Sequence, residues 1–243
     1  GVPIAFAMGI VGFFGLVGII GWDPSLAMIA SVTMETGLDY GLSVVPLFIL
    51  MGNFVTHAGL SDELYAASNA WLGHRRGGLA MATALACGGF SAVCGSSLAT
   101  AATMTKVAMP SMRKYGYADS LATGVIAAGG TLGILIPPSV ILVIYGIMTQ
   151  QDIGKLFAAG IIPGIIGIFG YMATVWVVTA INPELGPEAE RVPMLQRFHL
   201  LKGIWGIVVL FIIVIGGIYL GVFTPTEAAG IGASGALMFA LGR

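Results

Sequence analysis

Between Arg76 and Arg113 the chain runs for 36 residues with one charge, Lys106. As a single straight helix that segment would be about 54 Å long, against a bilayer hydrocarbon core of roughly 30 Å. Two complete crossings joined by a turn need more residues. The length fits a re-entrant hairpin of two half-helices over residues 77–112, its tip near GGFSAVCGSS (Gly88 to Ser97). Small and hydroxylic residues are poor helix interior but suit backbone opened toward a cavity, the setting in which irregular structure is tolerated at membrane depth.

Membrane residence follows from the other charge-free runs, 1–22, 40–61, 120–151, 156–183, 203–226 and 228–242. Only 9% of residues are charged and 57% are hydrophobic, where a soluble domain carries about 25% charge. Soluble enzyme folds are therefore excluded. A net charge of −1 leaves no basic face for nucleic acid. The runs starting at 1, 40, 156 and 203 each fit one crossing. The run from 120 to 151 is interrupted by Gly129, Gly130, Gly133, Pro137 and Pro138. Proline lacks an N–H and pushes the preceding residue out of helical geometry. This span is therefore expected to be discontinuous, a broken helix over 119–149. The fold class is an all-α polytopic membrane protein.

The basic residues test the hairpin separately. Cytoplasmic loops gather Lys and Arg; Arg75 and Arg76 precede the long run, and Arg113 and Lys114 follow it. A hairpin returns both pairs to one side. Continuing the alternation leaves eight basic residues inside, up to Arg243, with Lys155 outside and Lys106 in the hairpin. Trp22, Trp71 and Trp205 then fall near water interfaces. Ser61 to Gly73 reads as a short interfacial helix opened by Asp62 and Glu63. Residues 182–202, with three prolines and six charges, read as a cytoplasmic connector.

No Asp or Glu sits in the middle of any run, so a proton relay through a buried carboxylate has no obvious carrier. The membrane centre instead offers hydroxyls: Ser91, Ser96, Ser97, Thr100, Thr103 and Thr105 in the hairpin, with Thr131 and Ser139 flanking the proline pair. Hydroxyls and freed carbonyls are hard oxygen ligands that suit sodium, and half-helix N-termini beside them suit an anionic substrate. A serine hydrolase would need a base near Ser96 or Ser97, but His57, His74 and His199 lie at span ends or in loops. A passive channel lined by carbonyls lacks a ring motif. Cys87 and Cys94 have no further ligands nearby to form a metal set and read as packing residues.

Six strings carry a family resemblance: PLFILMG from Pro46, GGFSAVCGSSLAT from Gly88, AAGGTLGILIPPS from Ala127, YG at Tyr145, LFAAGIIPG from Leu156 and GVFTPTEAAG from Gly221. Together they resemble the large membrane (M, DctM-like) subunit of TRAP transporters, the tripartite ATP-independent periplasmic family. The resemblance implies an elevator-type transporter of the bacterial inner membrane, not an enzyme. It would take up C4-dicarboxylates, sialic acid or keto acids by sodium symport, with a small membrane subunit and a periplasmic binding protein as partners. The family's large subunit is about twice this length, as inverted repeats require, so the chain looks like its first half plus the start of the second. Residues 1–76 would then be scaffold, 77–181 the transport domain, 182–202 the connector and 203–243 the start of a second inverted repeat. Carried over by position, Ser91, Gly95, Ser96, Ser97, Gly130, Thr131, Gly133, Ile136 and Pro138 would form a sodium site, with substrate at Ser96, Ser97 and Thr100. The alternative is a stand-alone sodium/carboxylate symporter of another elevator family.

Overall fold

The computed structural model describes residues 1–242, and among these every regular element is helical. Arg243, placed by the sequence on the basic side, lies outside the described residues. The chain divides into two compact units, residues 1–43 and 44–243.

In the first unit α1 (Ile4–Ile20) buries none of its residues. It ends where Gly21 adopts φ 88°, a conformation open to glycine at no steric cost. The sequence marked no helix after residue 22, yet α2 (Trp22–Gly37) follows at once. Phe13 meets Trp22 edge to face at 5.3 Å and joins the two. Exposed apolar surface on this scale needs lipid or another protein surface as its solvent.

The second unit is built around α5 (Gly78–Cys94), of whose 17 residues 14 are buried. A helix apolar on all sides is stable only when enclosed, and its alanines and glycines let neighbours approach closely. Those neighbours are α3 (Val44–His57), α4 (Leu60–Leu72), α6 (Ser97–Lys114), α7 (Asp119–Gly130) and α9 (Ile153–Ile181). The helix α4 forms where acidic residues open it, and its buried face holds Leu60, Leu64, Tyr65 and Ala67.

After α9 come α10 (Met194–Leu201) and α11 (Trp205–Phe211), then a π-turn over Ile212–Gly216 leading into α12 (Gly217–Tyr219). The last helix, α13 (Pro225–Leu241), opens with a capping box: Thr224 Oγ1 accepts from Glu227 N while the Glu227 carboxylate accepts from Thr224 N. It packs on α3, and Gly232 allows the Met51 sulfur to approach.

Three helical stretches, Tyr40–His57, Ile153–Ile181 and Met194–Tyr219, are long and apolar enough to cross a bilayer. At 17 residues each, α1 and α5 rise only about 26 Å.

The chain from α5 to α6 is a helical hairpin whose open ends are tied together. Leu79 N donates to the Tyr117 hydroxyl at 3.1 Å. Gly77 N donates to Gly186 O at 2.9 Å and Ala118 N to Leu185 O at 3.1 Å. Both ends of the hairpin are thus bonded to the same turn of the connector, so the Arg75–Arg76 and Arg113–Lys114 pairs lie at one end of the hairpin. Arg76 pairs with Glu188 at 3.2 Å and Arg113 with Asp119 at 3.0 Å. Burial pushes the Tyr117 hydroxyl up to about 12, keeping it neutral.

The compact unit begins at Val44, so α3 and α4 pack directly with the hairpin. A division at residue 76 would be one of movement between packed parts.

Candidate functional site

The tip of the hairpin is two residues long. Gly95 takes φ 66°, and its N–H still reaches Ser91 O at 3.2 Å. Ser96 then adopts extended geometry and its hydroxyl accepts from Ala99 N at 3.4 Å, capping α6. A β-carbon on Gly95 would fall 2.6 Å from Pro138 O, so the tip is pressed against a second piece of backbone.

That second piece is the interruption between α7 and α8 (Val140–Thr149). Residues Thr131–Ile134 tighten into a 3₁₀ turn, Pro137–Pro138 is a cis peptide, and Ser139 caps α8 by accepting from Leu142 N at 3.3 Å. Two glycines make room for the contact. A β-carbon on Gly133 would lie 2.8 Å from Ser96 C and O, and one on Gly130 would lie 2.8 Å from Ala101 Cβ. Val140 N donates to Gly95 O at 3.1 Å, a hydrogen bond running from one break to the other.

Two serine-capped helix N-termini, those of α6 and α8, therefore start from adjoining breaks. Each carries partial positive charge and unpaired N–H groups that favour an anion. The carbonyls of Leu135, Ile136, Pro137 and Pro138 accept no backbone N–H among the described residues. Leu135 O faces Gly160 of α9, however, while Pro138 O faces Gly95 at the tip.

Of the residues singled out from the sequence, Gly95, Ser96, Ser97, Gly130, Gly133 and Pro138 come together here. Ser97 Oγ has no hydrogen-bond partner among the described residues. Thr100 is fully buried and its Oγ1 has no hydrogen-bond partner among the described residues, although the Cys94 thiol is close by. Such a group costs free energy unless something satisfies it.

The remaining residues also make contacts within their own segments or toward other helices. Ser91 Oγ donates to Cys87 O at 2.6 Å within its own helix. Thr131 Oγ1 donates to Ala128 O at 2.6 Å and shares a 2.8 Å bond with the Tyr171 hydroxyl, which draws it toward α9. The Ile136 side chain packs against Gly164 of α9, leaving only its carbonyl for an ion. Ser139 Oγ donates to Ile134 O at 2.8 Å. Cys87 lies against Gly129, and Cys94 against Gly52.

Tyr171 was missed from the sequence. A hydroxyl in the long apolar run of α9 was the available signal. Freed carbonyls at the proline break were expected from the sequence, but the direction in which each one points, such as Leu135 O toward Gly160, was not legible there.

Fold and site together define a polytopic helical membrane protein in which a helical hairpin docks its tip into a broken helix. The chain belongs to the tripartite ATP-independent periplasmic transporter family, DctM component, which it matches over residues 1–243. It is 39% identical to the C4-dicarboxylate TRAP transporter large permease protein DctM of Pseudomonas aeruginosa over 225 residues, 92% of this chain and 52% of the relative. It is 34% identical to the sialic acid TRAP transporter large permease protein SiaM of Vibrio cholerae, over 95% of this chain and 53% of that one. With the 2,3-diketo-L-gulonate TRAP transporter large permease protein YiaN of Escherichia coli it shares 33% identity over 99% of its own length and 56% of the relative's. The chain spans about half the length of the curated relatives it matches. These relatives are named as permeases, not as enzymes.

Proposed function

We propose that this chain is part of a secondary transporter of the bacterial inner membrane that takes up a small organic acid by sodium symport. A periplasmic binding protein would deliver the acid, and a small membrane subunit would complete the permease. The substrate class is a C4-dicarboxylate, sialic acid or keto acid, which the names of the relatives support. The observation that carries the reading is the meeting of the two breaks. Pro138 O, the hydroxyls of Ser96 and Ser97, and the buried, unpartnered Thr100 Oγ1 offer hard oxygens beside two helix N-termini. Oxygens of this kind fit a coupling sodium ion, and the N-termini fit the carboxylate of the substrate. The hairpin, the broken helix and α9 would move as the transport body, with residues 1–76 as scaffold, 182–202 as connector and 203–243 opening the second repeat.

The test is uptake by the full-length permease, reconstituted with its small subunit and binding protein and supplied with labelled succinate, sialic acid or a keto acid. Uptake of one of these should follow an imposed sodium gradient. Equal uptake driven by a proton gradient with no sodium on either side would refute sodium coupling. Uptake that needs neither the binding protein nor the small subunit would favour the stand-alone symporter.

A further inference from the structure

The second unit holds a feature that the tip does not use. An apolar cavity of about 540 Å³ lies between α4, α5, α9 and the α10–α11 stretch, with Leu64, Trp71, Gly88, Ile165, Leu201 and Phe211 in its wall. The wall is dry in character: the one hydroxyl in it, of Ser68, is spent on Leu64 O at 2.8 Å. Ile165 of α9, in this wall, is 48% exposed.

Beside the cavity the character changes. Trp71 of its wall stands edge-on to Phe198 at 5.7 Å, and Arg197, the residue before Phe198 on α10, lies outside that wall, is only 4% exposed and interacts with His74 near the end of α4. Its guanidinium donates one hydrogen bond, from Nε to Val192 O at 2.8 Å, and pairs with no carboxylate among the described residues. Glu188, the acid that acts on the nearby His74, is paired with Arg76. A buried cation without a counter-charge is costly.

Trp71 Nε1 and His74 Nδ1 are also buried without a hydrogen-bond partner among the described residues. Burial, together with the guanidiniums of Arg197, Arg191 and Arg75, pushes the His74 imidazole below its usual range. It is therefore a neutral group that can donate one hydrogen bond.

We propose that the cavity holds an acyl chain of an anionic phospholipid whose phosphate lies at Arg197, His74 and Trp71. Charge complementarity selects this occupant. The apolar length calls for hydrocarbon, and the unpaired Arg197 with two unused donors calls for an anion at one end only. A zwitterionic lipid brings a second cation to a place already ringed by Arg75, Arg191 and Arg197. The inference requires that the chain reside in a membrane and does not depend on what is transported.

The test uses the full-length permease and quenching of Trp71 fluorescence by brominated lipids, taken as the difference between the wild type and Trp71→Phe. Dibrominated phosphatidylglycerol should quench this signal at about tenfold lower concentration than dibrominated phosphatidylcholine, as one charge-assisted contact would give. Arg197→Gln should reduce the preference to within about twofold, and Arg197→Lys should keep most of it. If Arg197→Gln does not fold, the double variant of the exposed Arg75→Gln and Arg191→Gln should still weaken the preference, by about threefold. Equal quenching by the two lipids overturns the proposal. So does a preference that survives loss of the arginines in folded protein, or the absence of quenching by either lipid, which would mean that protein fills the cavity.

Discussion

The two breaks solve the same local problem with different chemistry. At Gly95 the helix stops in two residues through one positive φ angle, and Ser96 restarts it. Between Gly130 and Val140 the helix loosens through a 3₁₀ turn and two prolines before Ser139 restarts it. In the longer break the side-chain hydroxyls are already used: Thr131 bonds Ala128 and Tyr171, and Ser139 bonds Ile134. In the shorter one Ser97 and Thr100 have unspent hydroxyls. The contrast assigns free side-chain chemistry to the hairpin tip, and shape with one aimed carbonyl to the proline break.

Gly95→Ala attacks the contact on which the comparison rests and should have the largest effect. The new β-carbon meets Pro138 O, a backbone atom that cannot swing aside, and a left-handed angle costs a non-glycine residue about 1–2 kcal/mol. Uptake by the reconstituted full-length permease should fall by about a hundredfold or more, with a lowered thermal unfolding midpoint. Near wild-type values for both would mean that the two breaks do not need to touch.

Replacing Pro137 and Pro138 together with Ala should come next. Proline is about 3 kcal/mol worse than alanine inside a helix, so the double variant lets α7 extend toward α8 and recapture the freed carbonyls. Folding, followed by size-exclusion chromatography, should survive while transport is lost. Transport at the original rate with unchanged sodium dependence would reduce the prolines to a packing kink.

Thr100→Val separates structure from function at the tip. The substitution keeps the shape and removes a buried hydroxyl that has no hydrogen-bond partner, so stability should be unchanged or slightly raised. If that oxygen meets the ion, half-maximal uptake should require roughly three- to tenfold more sodium. A variant as stable and as sodium-sensitive as the wild type would remove Thr100 from the site. Ser97→Ala should move the sodium requirement by a similar or smaller factor.

The smallest effect is expected from Tyr171→Phe, which deletes one partner of Thr131 on the side away from the tip. A stability loss of about 0.5–1.5 kcal/mol, with the sodium requirement changed less than about threefold, fits the division of labour drawn here. A double-mutant cycle with Thr131→Val should show the two losses to be non-additive. A sodium effect larger than that of Thr100→Val would reverse the roles of the two breaks.

Much of this was legible before any coordinates. Charge-free runs and their lengths predict membrane helices because lipid tolerates neither charge nor unpaired backbone. The excess length of residues 77–112, with basic pairs at both ends, predicts a hairpin. Glycine and proline mark both breaks because their backbone rules are local. Other features were hidden. The helix α2 carries Asp23 and Glu35, so counting charges passed over it.

What the sequence determined by itself is the membrane class, the places where helices must stop and the family to which the chain belongs, since each depends on local composition or on matched strings. Only the tertiary structure decided which hydroxyls are free. Ser91, Thr100 and Thr131 look alike in one dimension, yet Ser91 bonds back to Cys87, Thr131 turns to Tyr171 and Thr100 is left unpaired beside the tip. The same holds for Arg197, ordinary in a charged connector and buried in the fold with no carboxylate partner among the described residues. The physical reason is that satisfaction of a polar group is a property of its neighbours in space, and those neighbours come from helices far apart in the chain.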